Sequence, residues 1–162
     1  ITTTPIQLAK GYAILANGGF DINPTLIKKK INNIKKKRIL KKDVSSKLNK
    51  IFRKVVTQGT ATLSDVEGYE VGGKTGTAQI VENGNYTKKK INTFASVFPS
   101  SDSKYVLVIL LEDTKLSKDY VYKYRNKPGS YKGTPFNTAG WTSVEITGKI
   151  LDKIGPILAT KY

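Results

Sequence analysis

The chain opens in helical spacing. Thr4-Pro5-Ile6-Gln7 has the layout of a helix start, with Thr4 as N-cap, Pro5 as first helical residue and Gln7 as the reciprocal capping-box partner. Ile6, Ala9, Ala13 and Ala16 then trace one face, and Asn17-Gly18-Gly19 ends it. An extended stretch, INPTLIKK, leads into the basic run at 28–42. A second helix is predicted with Asp43 or Ser45 as its cap and Val44, Leu48, Ile51, Phe52 and Val55 on one stripe, closing at Gln58-Gly59. Beyond Gly68 the period changes. Residues 71–81 read as a strand, ENGN at 82–85 as a turn, and INTFASVF at 91–98 as a second strand. PSSDS makes a tight connection into YVLVILLE at 105–112, whose unbroken apolar run predicts a strand buried on both faces. Residues 114–135, rich in tyrosine and lysine, read as a long surface loop. A last helix is expected from about Thr138, carrying Val144, Leu151 and Leu158 at heptad spacing with Ile150 and Ile154 in support, until Gly155-Pro156 ends or kinks it. The order helix, helix, three antiparallel strands, helix is an α+β layer with helices packed on the sheet.

Composition narrows the chemistry. The 162 residues suffice for one compact domain, and 38% hydrophobic with 25% charged is a globular balance. The chain has neither cysteine nor histidine, so thiolate and imidazole chemistry are excluded and any site must use Ser, Thr, Lys, Tyr or carboxylates. No carboxylate cluster has metal-ligand spacing. The net charge of +16 rests on lysines interleaved with isoleucine and asparagine, which reads as solvated surface, with a polyanion as the alternative partner. No apolar run has the length of a membrane span.

One stretch concentrates candidate chemistry: EVGGKTGTAQI, residues 70–80. On a strand, Thr75 and Thr77 share one face and Lys74 takes the other. Two hydroxyls beside an ammonium suit a carboxylate, and Gly72, Gly73 and Gly76 let another backbone lie close. Such an edge could take an extended peptide by strand addition, and a backbone N–H there could face a developing oxyanion. The same pattern also serves packing, with the lysine guarding an edge strand. GGKTGT lacks the spacing of a phosphate-binding loop.

Wider context decides between these readings. TTTPIQLAKGYAILANGG, VVTQGTA, GYEVGGKTGTAQ, INTFASVFPSSDSKYVLVILLED and TAGWTSVEITGKIL follow one another in the chain. On these ordered blocks the sequence resembles the transpeptidase domain of the monofunctional (class B) penicillin-binding proteins, whose elements include Lys-Thr-Gly, Ser-x-x-Lys and Ser-x-Asn. The division-specific septal peptidoglycan D,D-transpeptidase is the nearest branch, with the elongation-specific one open. The resemblance implies that Lys74 sets the field of a cleft and that Thr75 and Thr77 bind the terminal carboxylate of a stem peptide or a β-lactam. It further implies that the Thr77 N–H forms half of an oxyanion hole and that Gly76 admits the substrate backbone. It implies no cofactor, no metal and no specific nucleic acid. It places the parent at the periplasmic face of the inner membrane, among division proteins.

The nucleophile of that family is absent from these blocks. Ser101-Asp-Ser-Lys104 is the one Ser-x-x-Lys, and it falls where a hairpin turn is expected rather than the helical turn the pair requires. No Ser-x-Asn element occurs. Residues 1–162 are therefore expected to be a single partial domain, the C-terminal segment of a transpeptidase domain, inactive alone and prone to self-association through the apolar strand 105–112. A D,D-carboxypeptidase or β-lactamase relative, and a basic nucleic-acid-binding module, are the alternatives. Trp141, the single tryptophan, is expected as an aromatic anchor of the core, with a cleft-rim role through Gly140 as the alternative.

Overall fold

Thr4 caps the first helix as the sequence requires, its hydroxyl taking the Gln7 N–H while the Gln7 side chain reaches back to the Thr4 N–H. The computed structural model describes residues 3–27, 37–133 and 136–161, so most of the basic run 28–42 lies outside the described residues. In order come α1 (Pro5–Ala16), α2 (Lys42–Thr57), β1 (Gly72–Glu82), β2 (Asn85–Phe98), β3 (Tyr105–Glu112), β4 (Val121–Lys123), β5 (Ser130–Lys132) and α3 (Ser143–Ala159). Short 3-10 turns at Thr62–Ser64 and Ala139–Trp141 complete the set.

The main sheet is antiparallel in the order β1-β2-β3. Asn83 and Gly84, both at positive φ (51° and 79°), make the two-residue turn that matches the twist of the β1–β2 hairpin. Alternation along β2 sends Phe94 and Phe98 to one face and Val97 to the other. The first face packs with Val71, Tyr105, Leu107 and the α3 residues Val144 and Leu151. The second packs Val97 and Val106 against Tyr12, Leu15 and Ala16 of α1 and Leu48 and Phe52 of α2, with the Tyr12 and Phe52 rings stacked at 5.4 Å. Helices thus cover the sheet on both sides.

Several expectations are corrected. In α1 the buried residues are Ile14 and Ala16, while Ile6 is 58% exposed. The helix is apolar on most sides, so periodicity alone does not choose its inward face. In α2 the N-cap is Lys41, and neither Asp43 nor Ser45 caps it. Ser45 is buried instead: it donates to Leu15 O at 2.6 Å and accepts from Gly18 N at 3.0 Å, tying α2 to the end of α1. That tie turns the stripe to Ser45, Phe52 and Val56 and leaves Val44 and Ile51 exposed. Strand β3 is half-buried rather than covered on both faces, with Leu110 exposed. α3 begins at Ser143 and runs through Pro156 to Ala159. There the packing of Ile154 and Leu158 against the core outweighs the missing N–H of a proline on the solvent side.

The largest correction concerns 114–135. Among its described residues this segment folds into a second two-stranded sheet, β4–β5, rather than a loose loop. Tyr122 is buried and packs edge-on against Trp141 at 5.1 Å, while Tyr120 and Tyr124 join the same core. Trp141 is the aromatic anchor expected of it. Beside this cluster Arg125 bonds Glu145 (2.9 Å) and Asp152 (2.7 Å) on α3 and also donates to Leu63 O. Burial pulls the Arg125 guanidinium down, but hydrogen bonds to Glu145 and Asp152 overrule it and hold it above its ordinary value. Tyr120 donates to the same Glu145 at 2.8 Å.

Removing Arg125 strands a buried carboxylate. Arg125→Ala should destabilise the fold by about 3–5 kcal/mol in urea unfolding. A change below about 1 kcal/mol would mean that Glu145 finds another partner. In β1, a Cβ on Gly73 would lie 2.4 Å from Ala95 O, whereas one on Gly76 meets nothing nearer than Thr93 at 4.0 Å. Gly73→Ala should therefore cost about 1–3 kcal/mol of overpacking, and Gly76→Ala far less.

Candidate functional site

The pairing of β1 with β2 sets both the side-chain face and the backbone edge of residues 74–77. The carbonyls of Lys90 and Phe98 accept from Asp113 and Lys104, so the even-numbered residues of β2 direct their backbone groups toward β3. Its odd-numbered residues then bond β1, whose Gly72, Lys74, Gly76 and Ala78 lie opposite Val97, Ala95, Thr93 and Ile91. Thr75 and Thr77 consequently turn their N–H and C=O groups away from β2, to an edge that pairs with no strand among the described residues. The Thr75 carbonyl on that edge accepts the Lys74 ammonium at 2.9 Å.

The same alternation places the Thr75 and Thr77 side chains together on the α3 face, with Lys74 exposed on the opposite one. Their hydroxyls have different partners. Thr75 Oγ1 lies 2.8 Å from Thr60 Oγ1, in the loop that follows α2. Thr77 Oγ1 donates to Asn92 Oδ1 at 3.1 Å and accepts the Ala139 N–H at 3.0 Å. Asn92 is fully buried; it donates to Asn137 Oδ1 at 2.6 Å, and Asn137 donates onward to Thr114 O at 3.0 Å. This chain of amides fastens the 137–141 segment to the strand.

Between strand and segment lies a cleft of ≈ 470 Å³. Thr75 and Thr77 form its floor, Gly59, Thr60, Thr62 and Leu63 one side, and Thr138, Ala139, Gly140, Trp141 and Tyr124 the other. Tyr124 is carried there by the ribbon that Arg125 clamps to α3. The cleft is open, lined by the hydroxyl-bearing side chains of Thr60, Thr62, Thr75, Thr77 and Thr138 and by the rings of Tyr124 and Trp141.

Sequence reasoning singled out Lys74, Thr75, Gly76 and Thr77, and the structure brings the two threonines together at this cleft. It passed over Thr60, Asn92 and Asn137. Asn92 alone left a signal, being a polar side chain inside the apolar strand run INTFASVF. Ser101 and Lys104 lie in the connection between β2 and β3, outside any helix, where Ser101 bonds Glu70 and Lys104 pairs with Asp102 at 2.7 Å. Among the described residues no group of three or more acidic side chains could hold a metal ion. No described helix is long and apolar enough to cross a membrane.

The family model of the penicillin binding protein transpeptidase domain matches residues 1–132. The probable peptidoglycan D,D-transpeptidase FtsI of Caulobacter vibrioides is 28% identical over 171 residues, covering 98% of this chain and 26% of that protein. Stage V sporulation protein D of Bacillus subtilis is 32% identical over 127 residues, covering 71% of this chain and 20% of that protein. The chain thus spans between a fifth and about a quarter of the length of these relatives. In solved structures, the transpeptidase domain of Burkholderia pseudomallei penicillin-binding protein 3 superposes with a TM-score of 0.71 at 22% identity, over 93% of this chain and 41% of that one. The transpeptidase domain of FtsI4 from Legionella pneumophila gives a TM-score of 0.64 at 24% identity, over 93% and 46%. The fold, the ordered sequence blocks and the matched family model agree, and the chain belongs to the penicillin-binding protein transpeptidase domain family.

Proposed function

We propose that this chain forms one wall of the substrate cleft of a peptidoglycan D,D-transpeptidase of the septal type, which cross-links stem peptides and is the target of β-lactams. The observation that carries the reading is the open edge of β1, where Thr75 and Thr77 turn their N–H groups outward beside hydroxyls facing the cleft. A stem peptide enters extended along this edge, as an added strand. Its terminal carboxylate lies over the floor made by Thr75 and Thr77, within the field of Lys74. The Thr77 N–H faces the oxygen that becomes negative when the peptide carbonyl is attacked. Gly76 supports the same reading: among the described residues only Thr93, at 4.0 Å, approaches the place of a Cβ there, and this open side is where a substrate backbone would pass.

In this reading the attacking serine, which carries the acyl intermediate, and its lysine are residues other than these 162; the support is that the one Ser-x-x-Lys, Ser101 to Lys104, stands between two strands and not on a helix. The relatives named FtsI support the septal assignment. The parent would then work at the periplasmic face of the inner membrane with division proteins, held by a segment outside this chain.

Two measurements test the reading. Incubated with a labelled penicillin, the chain should show no covalent adduct by intact mass, and a stoichiometric adduct would place a nucleophile inside it. A peptide ending in D-alanyl-D-alanine should shift the amide resonances of residues 75–77, and Lys74→Ala should weaken that binding by about three- to tenfold. Unchanged amides at saturating peptide would refute the cleft assignment. The open side of β3, with Leu110 46% exposed, is further proposed to drive self-association. Sedimentation should show concentration-dependent association that Leu110→Lys reduces, and a monomer at high concentration would rule it out.

A further inference from the structure

Two points fix the direction of a peptide bound along β1. Its terminal carboxylate reaches Thr75, and the carbonyl that is attacked, one residue earlier, meets the Thr77 N–H. The peptide therefore runs antiparallel to β1, with its C-terminal end toward Thr75 and its remainder toward the β1–β2 hairpin turn. The penultimate residue stands opposite Thr77, the one before it opposite Ala78, and the fourth from the end opposite Gln79. Gln79 pairs with Lys90 in the same register that pairs Thr77 with Asn92, so it too turns its backbone groups to the open edge. Residues directly opposite one another on neighbouring strands share a face. A side chain on the fourth residue from the end thus lies on the face of Gln79 and Lys90, which is also the face of Thr75 and Thr77.

Lys90 is held ready on that face. Its ammonium donates to Asn137 O at 3.2 Å, and Asn137 is itself tied to Asn92 at 2.6 Å, so the charge sits at the hairpin end of the cleft wall. An ammonium has three protons, of which this bond uses one. Among the described residues no carboxylate pairs with Lys90, whereas the adjacent Lys89 is paired with Glu82 at 2.8 Å. Lys90 is also half-buried, which strengthens its attraction for an anion over that of a fully solvated lysine. Gln79, which stands between Lys90 and the open edge, is drawn back toward β2, its amide donating to Thr87 O at 3.2 Å. Two strand spacings, roughly 10 Å, separate the Lys90 backbone from a strand added at the edge. A lysine and a long acidic side chain together close that distance.

Resting on the transpeptidase reading above, we propose that Lys90 is a specificity-determining residue: it binds a second carboxylate of the substrate, carried by the fourth residue from the peptide's C-terminal end. The substrate class this selects is an acidic stem peptide, in preference to the same peptide with that carboxylate amidated.

The test is a titration of the 162-residue chain, followed by amide shifts, with N-acetyl-glutamyl-alanyl-D-alanyl-D-alanine and with the matching glutaminyl peptide. The unchanged chain should bind the glutamyl peptide about three- to fivefold more tightly, a preference that fades as salt is raised. Lys90→Gln should abolish the preference and leave the affinity for the glutaminyl peptide as it was, and Lys90→Arg should keep it. Lys88→Gln removes the same charge from the same hairpin and should leave the preference intact. Equal binding of the two peptides by the unchanged chain overturns the assignment, and so does a preference that survives Lys90→Gln. An equal fall of the preference in Lys88→Gln and Lys90→Gln also overturns it, and traces the effect to the net charge of +16. A loss of both peptides alike in Lys90→Gln would make the residue a brace for the 137–141 wall instead. If neither peptide shifts the amides of residues 75–77 in the unchanged chain, the functional reading fails and this inference fails with it. Should Lys90→Gln alter the spectrum as a whole, Lys90→Met carries the same comparison.

Discussion

The hydrogen-bonded register between β1 and β2 is the constraint from which the site follows. Because the even-numbered residues of β1 spend their backbone groups on β2, Thr75 and Thr77 hold theirs toward the open edge. The same alternation turns their side chains to the face covered by α3 and sends Lys74 to the other. A one-residue slip would exchange the two sets, burying the N–H groups in the ladder and moving both hydroxyls out of the cleft. Gly73 guards the register, since any side chain there would run into Ala95 O and the Phe94 ring.

A strand makes only the floor of a cleft; the walls come from elsewhere in the chain and are fixed by buried polar contacts. The Thr77–Asn92–Asn137 chain fastens the 137–141 segment at its chosen distance from β1. Arg125 does the same for the ribbon that carries Tyr124, with partners on α3 and a backbone carbonyl in the 3-10 turn after α2. Both networks join elements that are far apart in the chain. Their members are bonded to one another, which is the condition under which buried polar groups make an arrangement rigid and specific.

Much of the scaffold was legible in the residues. The capping box at Thr4 and Gln7, the Asn83-Gly84 turn and the span of β3 are local signals, and local geometry realises them. The failures have a common cause. Ser45 looked like a cap because serine near a helix start usually is one, but its partners are Leu15 and Gly18, across a tertiary contact. The three-residue strands at 121–123 and 130–132 are too short for periodicity to reveal, and the carboxylates that anchor them stand on α3. Pro156 reads as a helix stop, yet the core beneath Leu158 holds the final turn.

The sequence by itself determined that Thr75 and Thr77 share a face, that these residues offer no imidazole or thiol, and which blocks mark the family. These depend on alternation, composition and order, all properties of the linear chain. Only the tertiary structure decided which hydroxyls meet. Thr60 reaches Thr75 and Asn92 reaches Thr77 across 15 residues each, and Ala139 reaches Thr77 across 62. No pattern in a linear chain encodes such meetings, because they are set by how the α2 loop, the strand pair and the 139–141 turn pack against one another.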